Sequence, residues 1–158
     1  MPQLSLHTPL GGLTLSEEDG TLVALDWGWG RDQESTPLLR EGISQLQAYF
    51  DGTRRHFELP IKLDGTPYAR GIWETLCKIP YGSTATYADI ARQAGGSPRS
   101  VGGANGRNPM PIIVPCHRVV ATDGVGGYSG GDGIETKQWL LAHERRHAGA
   151  TPKAAPVP

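Results

Sequence analysis

Five hydroxyl–proline pairs occur in this chain, and three of them stand where a helix can start: Thr36 and Pro37, Thr66 and Pro67, Ser97 and Pro98. Each of these three fixes where a helix can begin. The Ser or Thr oxygen accepts a hydrogen bond from an orphan amide of the first turn, and proline lacks the donor that the first helical position would leave unused. Around these starts, 22 glycines and 13 prolines cut the 158 residues into short pieces. No run nears the roughly 18 apolar residues that cross a bilayer, so no membrane contact is expected.

The opening stretch LSLHTPLGGLTLSEEDGTLVALDWG has short apolar runs broken by two glycines and by EEDG. This predicts two hairpin-linked strands or a three-stranded meander. After Pro37, the residues Leu39, Ile43, Leu46 and Phe50 recur at helical spacing, and Gly52 stops the run. HFELPIKL reads as one more short strand, and no chemistry is read in residues 1–63. A second helix places Ile72, Leu76 and Ile79 on one face, where Cys77 is expected buried. Thr86 caps a short helix ended by Gly95, and Ser97 opens another, which together make a helix-turn-helix pattern. Residues 112–114 are expected as a short buried strand or extended segment. DGVGGYSGGDG holds too many glycines to pack as helix or strand and forms a loop whose amides can approach a ligand closely. Trp139, Leu140 and Leu141 anchor a last amphipathic helix.

The expected fold class is therefore α+β. A small N-terminal α/β domain, with a short antiparallel sheet and a helix, takes residues 1–63. A mainly helical C-terminal domain with a helix-turn-helix, winged-helix-like, takes 64–147, and a disordered Pro/Ala-rich tail takes 148–158.

With 37 % hydrophobic and 20 % charged residues, the chain can bury a core. Its net charge of −1 gives no global sign of nucleic-acid binding. The distribution is more telling. Residues 1–66 hold ten acidic and five basic side chains, whereas 90–122 hold Arg92, Arg99, Arg107 and Arg118 and no acid. That window fits a face built for an anion, although a chance run on a solvated surface would look the same. Residues 1–12 show no basic segment followed by an apolar one, so no secretory signal is read. Two cysteines make neither a disulfide framework nor a CxxC site, and five scattered histidines complete no zinc set. A reducing, cytoplasmic setting with no metal and no cofactor is expected.

VPCHRVV, residues 114–120, is where chemistry concentrates. A buried cysteine is often only a small hydrophobe. Beside His117 and Arg118, Cys116 can instead be held as a thiolate, the nucleophilic form. The surroundings are specific. NPMPIIVPCHRVV, GGYSGG and KQWLLAHE, preceded by TYADIA and PRSVGGANGRNP, resemble in order and spacing the O6-alkylguanine-DNA alkyltransferases, also called methylated-DNA–protein-cysteine methyltransferases. The resemblance covers about residues 66–147. Residues 1–63 are similar to the family's N-terminal domain only in size and strand-rich layout.

The resemblance implies direct-reversal DNA repair. An alkyl group, methyl above all, would leave O6 of guanine, or less well O4 of thymine, for the Cys116 thiolate, irreversibly and once per molecule. His117 would take the thiol proton through a water, and Glu144 would orient that histidine. Tyr87 would donate to a guanine ring nitrogen, and the amide or hydroxyl of Ser129 would meet the departing oxygen. Tyr128, Val119 and Gly130 would shape the pocket, Lys137 would support the loop, and Asn108 would hold the turn that carries the cysteine. The target nucleotide would be flipped out of double-stranded DNA. The second helix of the motif would lie in the minor groove, with Arg99 filling the gap in the stack and Ser97, Gly102, Gly103, Ala104 and Arg107 along the contact. A monomer, binding DNA cooperatively, is implied. The zinc ligands of some relatives are missing here, the loop SGGDGIETKQ is two residues longer than the family's shortest, and no transcription-factor module is expected.

Two other readings compete. A lesion sensor of the alkyltransferase-like kind recognises the alkylated base without reacting, but those relatives replace the acceptor cysteine that is present here. A cysteine hydrolase would need a thioester step and an oxyanion hole, and only the Cys–His pair speaks for it.

Overall fold

The computed structural model describes residues 1–149. Alternating apolar side chains make the first elements an antiparallel meander of β1 (Gln3–Thr8), β2 (Gly11–Glu18) and β3 (Thr21–Trp27). Leu6 pairs with Leu13 and Leu15 with Leu25, and α1 (Pro37–Phe50) contributes Leu39 and Leu46 to the same core.

The hydroxyl–proline pairs at 36, 66 and 97 all start helices, while Thr8–Pro9 leads into the β1–β2 turn. Thr36 caps α1 by accepting from the Leu39 amide, and Thr66 caps α2 (Pro67–Leu76) by accepting from Ala69. A two-residue strand, β4 (Ala85–Thr86), runs into α3 (Tyr87–Ala94), where Thr86 and Asp89 form a reciprocal capping box. Ser97 does the same with Ser100 at α4 (Pro98–Gly106). α3 and α4 make the helix-turn-helix. Tyr68 of α2 holds its turn, with its hydroxyl 3.0 Å from the Gly95 carbonyl and 2.8 Å from Ser100 Oγ. Strand β5 (Val119–Val120) pairs in parallel with β4 and so ties the segment after Cys116 to the start of α3. The last helix, α5 (Ile134–Ala148), carries Leu140 and Leu141 into the core. That core is continuous through both halves, from Leu15, Leu22 and Tyr49 to Ile72, Met110 and Val119. Among the described residues no helix is long and apolar enough to cross a membrane.

Several local expectations are corrected. HFELPIKL is not a strand: only Ile61 bridges to Leu22, in parallel, beside Pro60, which has no amide to extend a ladder. Cys77 is exposed: as the C-cap of α2 it keeps a helical conformation and so stands about 100° round the helix from Leu76, off the face of Ile72 and Leu76. Residues 112–114 form a tight turn: the Val114 amide bonds the Met110 carbonyl at 2.9 Å, and Ile112 takes a φ of 73°. Ala148 and Gly149 are the last helical residue and its cap, so α5 runs past 147. The remainder of the expected disordered tail, 150–158, lies outside the described residues.

Candidate active site

Cys116 opens a single 3₁₀ turn, Cys116–Arg118, between Pro115 and β5. The turn before it is clamped by Asn108, whose Oδ1 accepts from the Met110 amide at 2.9 Å and whose Nδ2 donates to the Val114 carbonyl at 2.8 Å. Asn105 of α4 donates to the Cys116 carbonyl at 3.2 Å. These bonds hold a conformation that a β-branched residue rarely adopts, the left-handed Ile112, at a strain on the order of 1–3 kcal/mol.

Behind the cysteine lies a buried charge centre. Glu144 on α5 receives His117 Nε2 at 2.6 Å, Arg118 Nε at 2.8 Å and Nη2 at 3.0 Å, the Tyr49 hydroxyl at 2.7 Å and the Gly82 amide at 3.3 Å. Gly82 is fitted to that place: its φ is 82°, and a Cβ would strike Ala148. Burial alone would raise the Glu144 pKa. The Arg118 fork and the bond from His117, with the imidazolium charge once acid protonates it, outweigh it and hold the carboxyl far below the usual carboxylate range. Burial lowers the pKa of His117, against the pull of Glu144, so the imidazole is neutral near pH 7. With Nε2 donating to Glu144, Nδ1 carries the lone pair, and this atom is buried with no partner.

The thiol itself differs from the sequence-based expectation. Burial pushes the Cys116 pKa up, and Asn108, Tyr128 and the Lys137 charge pull it back only in part. The resting group is a thiol, not a thiolate. Arg118, expected as its cationic neighbour, points to Glu144 and to the Ile79 carbonyl at 2.8 Å. The nearby cation is Lys137, 0 % exposed, which donates to the carbonyls of Val119 at 2.6 Å and Gly127 at 3.0 Å and sits 5.8 Å from the Tyr87 ring centroid. Burial lowers its pKa to about 8.

A cavity of about 600 Å³ opens over the sulfur. Tyr87, Gly102 and Asn105 line it from the helices, Asn108 from the turn after α4, residues 127–130 from the glycine-rich loop, and Leu25, Asp26 and Trp27 from the end of β3. Trp27 meets the Tyr128 ring edge-on, with centroids 6.5 Å apart. A Cβ at Gly130 would come within 2.8 Å of Trp27 Cε2.

The fold thus brings Cys116, Tyr87, Asn108, Gly102, Tyr128, Ser129 and Gly130 to one cavity, with His117, Glu144, Lys137 and Val119 behind its floor. Val119 takes part through its carbonyl, its side chain being in the core. Arg99, Gly103 and Arg107 are exposed on α4, as is Ser97, whose hydroxyl is used as the cap. Ala104 was expected along the DNA contact and is instead fully buried: it shares the inner face of α4 with Val101 and Asn105, and its carbonyl accepts from Trp73 Nε1 at 2.9 Å. Sequence reasoning missed Leu25, Asp26, Trp27 and Tyr49, all from the half read as carrying no chemistry. Nothing local marks them, since Tyr49 and Glu144 are 95 residues apart.

A buried thiol with a histidine–carboxylate line behind it, at the foot of a cavity walled by a helix-turn-helix, is the arrangement of a cysteine-nucleophile protein built beside a DNA-reading motif. The comparisons narrow that class. The sequence pattern of 6-O-methylguanine DNA methyltransferase, DNA binding domain, matches residues 67–146, and that of 6-O-methylguanine DNA methyltransferase, ribonuclease-like domain, matches 4–63. The constitutive methylated-DNA–protein-cysteine methyltransferase of Bacillus subtilis is 44 % identical over 154 residues, covering 88 % of this chain and 92 % of that one. The methylated-DNA–protein-cysteine methyltransferase of Mycolicibacterium paratuberculosis is 40 % identical over 160 residues, covering 93 % and 94 %. The crystal structure of Mycobacterium tuberculosis OGT in complex with DNA superposes with a TM-score of 0.82 at 35 % identity, covering 93 % and 94 %. The chain belongs to the methylated-DNA–protein-cysteine methyltransferase family.

Proposed function

We propose that this protein repairs alkylated DNA by moving an alkyl group, methyl above all, from O6 of guanine, and less well from O4 of thymine, to Sγ of Cys116. The observation that carries the reading is a cavity with a thiol as its floor and an unpartnered histidine nitrogen behind it. Nδ1 of His117 takes the thiol proton through a water, while the Lys137 ammonium favours the thiolate. The sulfur then attacks the saturated carbon. The S–C bond forms, the C–O bond breaks, and the electron pair leaves on the guanine oxygen, where Ser129 meets the charge while Tyr87 donates to a ring nitrogen of the departing base.

A base reaches such a floor only outside the duplex. In this reading α4 lies in the minor groove, Arg99 fills the stack, Ser97, Gly103 and Arg107 lie along the backbone, and Gly102 lets the helix come close. Residues 64–147 carry the chemistry and 1–63 support it, in a cytoplasmic monomer able to bind DNA cooperatively. The thioether offers water no leaving group, so each molecule reacts once. Incubation with a duplex containing O6-methylguanine, followed by mass analysis of peptides, tests the acceptor. A methyl on Cys116 is expected. A methyl on Cys77, or demethylated DNA with no protein adduct, would overturn the assignment.

A further inference from the structure

Tyr49 lies in the N-terminal half, yet its side chain ends inside the charge centre. It is 0 % exposed, its ring is enclosed by Phe50, Phe57, Tyr81 and His143, and its carbonyl accepts from His143 Nε2 at 2.8 Å. The ring has no room to turn away. Its hydroxyl donates at 2.7 Å to Glu144 Oε2, the same oxygen that His117 Nε2 meets at 2.6 Å. One carboxylate oxygen thus divides its negative charge among the phenol, the imidazole and, at 3.0 Å, Arg118 Nη2. Burial, followed by the Glu144 charge, raises the Tyr49 pKa well above its usual value, so the hydroxyl stays a donor throughout the working pH range.

We propose that Tyr49 is a positioning residue for the alkyl transfer: its hydroxyl, sharing Oε2 with His117, fixes the carboxylate and limits its pull on the Nε2 proton, so that the imidazole stays neutral with Nδ1 free to take the thiol proton. This rests on the function proposed above. The charges facing His117 are Glu144 and Lys137 on α5 and Arg118 beside it in the turn. Tyr81 faces Glu144 and the Arg118 guanidinium from the turn after α2. Arg118 already engages both carboxylate oxygens and cannot take over the Tyr49 position without leaving them. The N-terminal half is then part of the proton path.

The test is Tyr49→Phe, which keeps the ring and removes only the hydroxyl. With one donor lost, Oε2 is more negative and favours imidazolium. The NMR titration midpoint of His117 in the unreacted protein is therefore expected to rise. The single-turnover methyl-transfer rate should fall about tenfold near pH 7, a part of the 10²–10⁴ that a positioned base supplies. The acid limb of its pH profile should move to higher pH, with duplex affinity unchanged within twofold. As a control that keeps the bond, 3-fluorotyrosine at position 49 donates more strongly and should move the His117 midpoint down. A lower melting temperature in Tyr49→Phe with an unmoved His117 midpoint, or a 3-fluorotyrosine protein whose midpoint does not move, would overturn the proposal. The histidine titration needs no substrate, so it decides on Tyr49 separately. Absence of methyl transfer in the unsubstituted protein would instead overturn the function on which the proposal rests.

Discussion

Glu144 gathers four buried hydrogen bonds, from Tyr49, His117 and Arg118, and its electrostatics make two testable statements. Replacing one partner of a buried ion pair leaves the other charge uncompensated, at about 3–5 kcal/mol. Glu144→Gln should therefore lose about that much stability in urea at pH 7, with Arg118 left buried beside a neutral amide. The sign of the pH dependence follows from the shifts. Glu144 has a depressed pKa in the fold, so its contribution is complete above its unfolded value of about 4.3 and is lost as pH falls below it. His117 is also depressed. Its neutral form is favoured in the fold, and that contribution is lost as pH falls below about 6.5. Urea midpoints should decline from about pH 6.5 downward and more steeply below about pH 4.3. In Glu144→Gln the second, steeper decline should disappear; if it persists, other carboxylates govern acid unfolding.

At the scale of elements, α4 and the glycine-rich loop form opposite walls of one cavity. Arg99→Ala should slow reaction with alkylated duplex by about 1–3 kcal/mol in activation free energy, the size of one stacking contact, and leave reaction with the free O6-alkylguanine base nearly unchanged. Equal losses on both substrates would remove Arg99 from the flipping step. The loop wall depends on fit between halves. Gly130→Ala would drive a methyl into the indole of Trp27, so it should reduce the transfer rate, and Trp27→Ala in the same chain should restore part of it. Additive losses in the double variant would show that the contact does not set the loop.

The helix starts were legible because hydroxyl–proline pairs act within one turn, and the cysteine segment because its residues are consecutive. What could not be seen were contacts made by folding. Trp27 against Gly130 and Tyr49 against Glu144 join separate halves of the chain. Ala104 and Cys77 were misplaced because a small residue in a short helix carries little hydrophobic signal about which way it faces. The helical turn sends Ala104 inward beside Val101 and carries Cys77 past Leu76 to the outside.

At the scale of the molecule, the core runs unbroken from the meander to α5 and reaches Cys116 itself, which is 4 % exposed. The same burial bears on turnover. The thioether has no hydrolysable bond, and the charge centre behind it can only move protons. Whether Cys116 is the final acceptor is decided by a count of methyl groups transferred per protein molecule with O6-methylguanine duplex in large excess. A burst that stops at one equivalent, with the methyl on Cys116, is expected. Continued linear repair beyond one equivalent would contradict it, because the sulfur would then be an intermediate station and not the final acceptor.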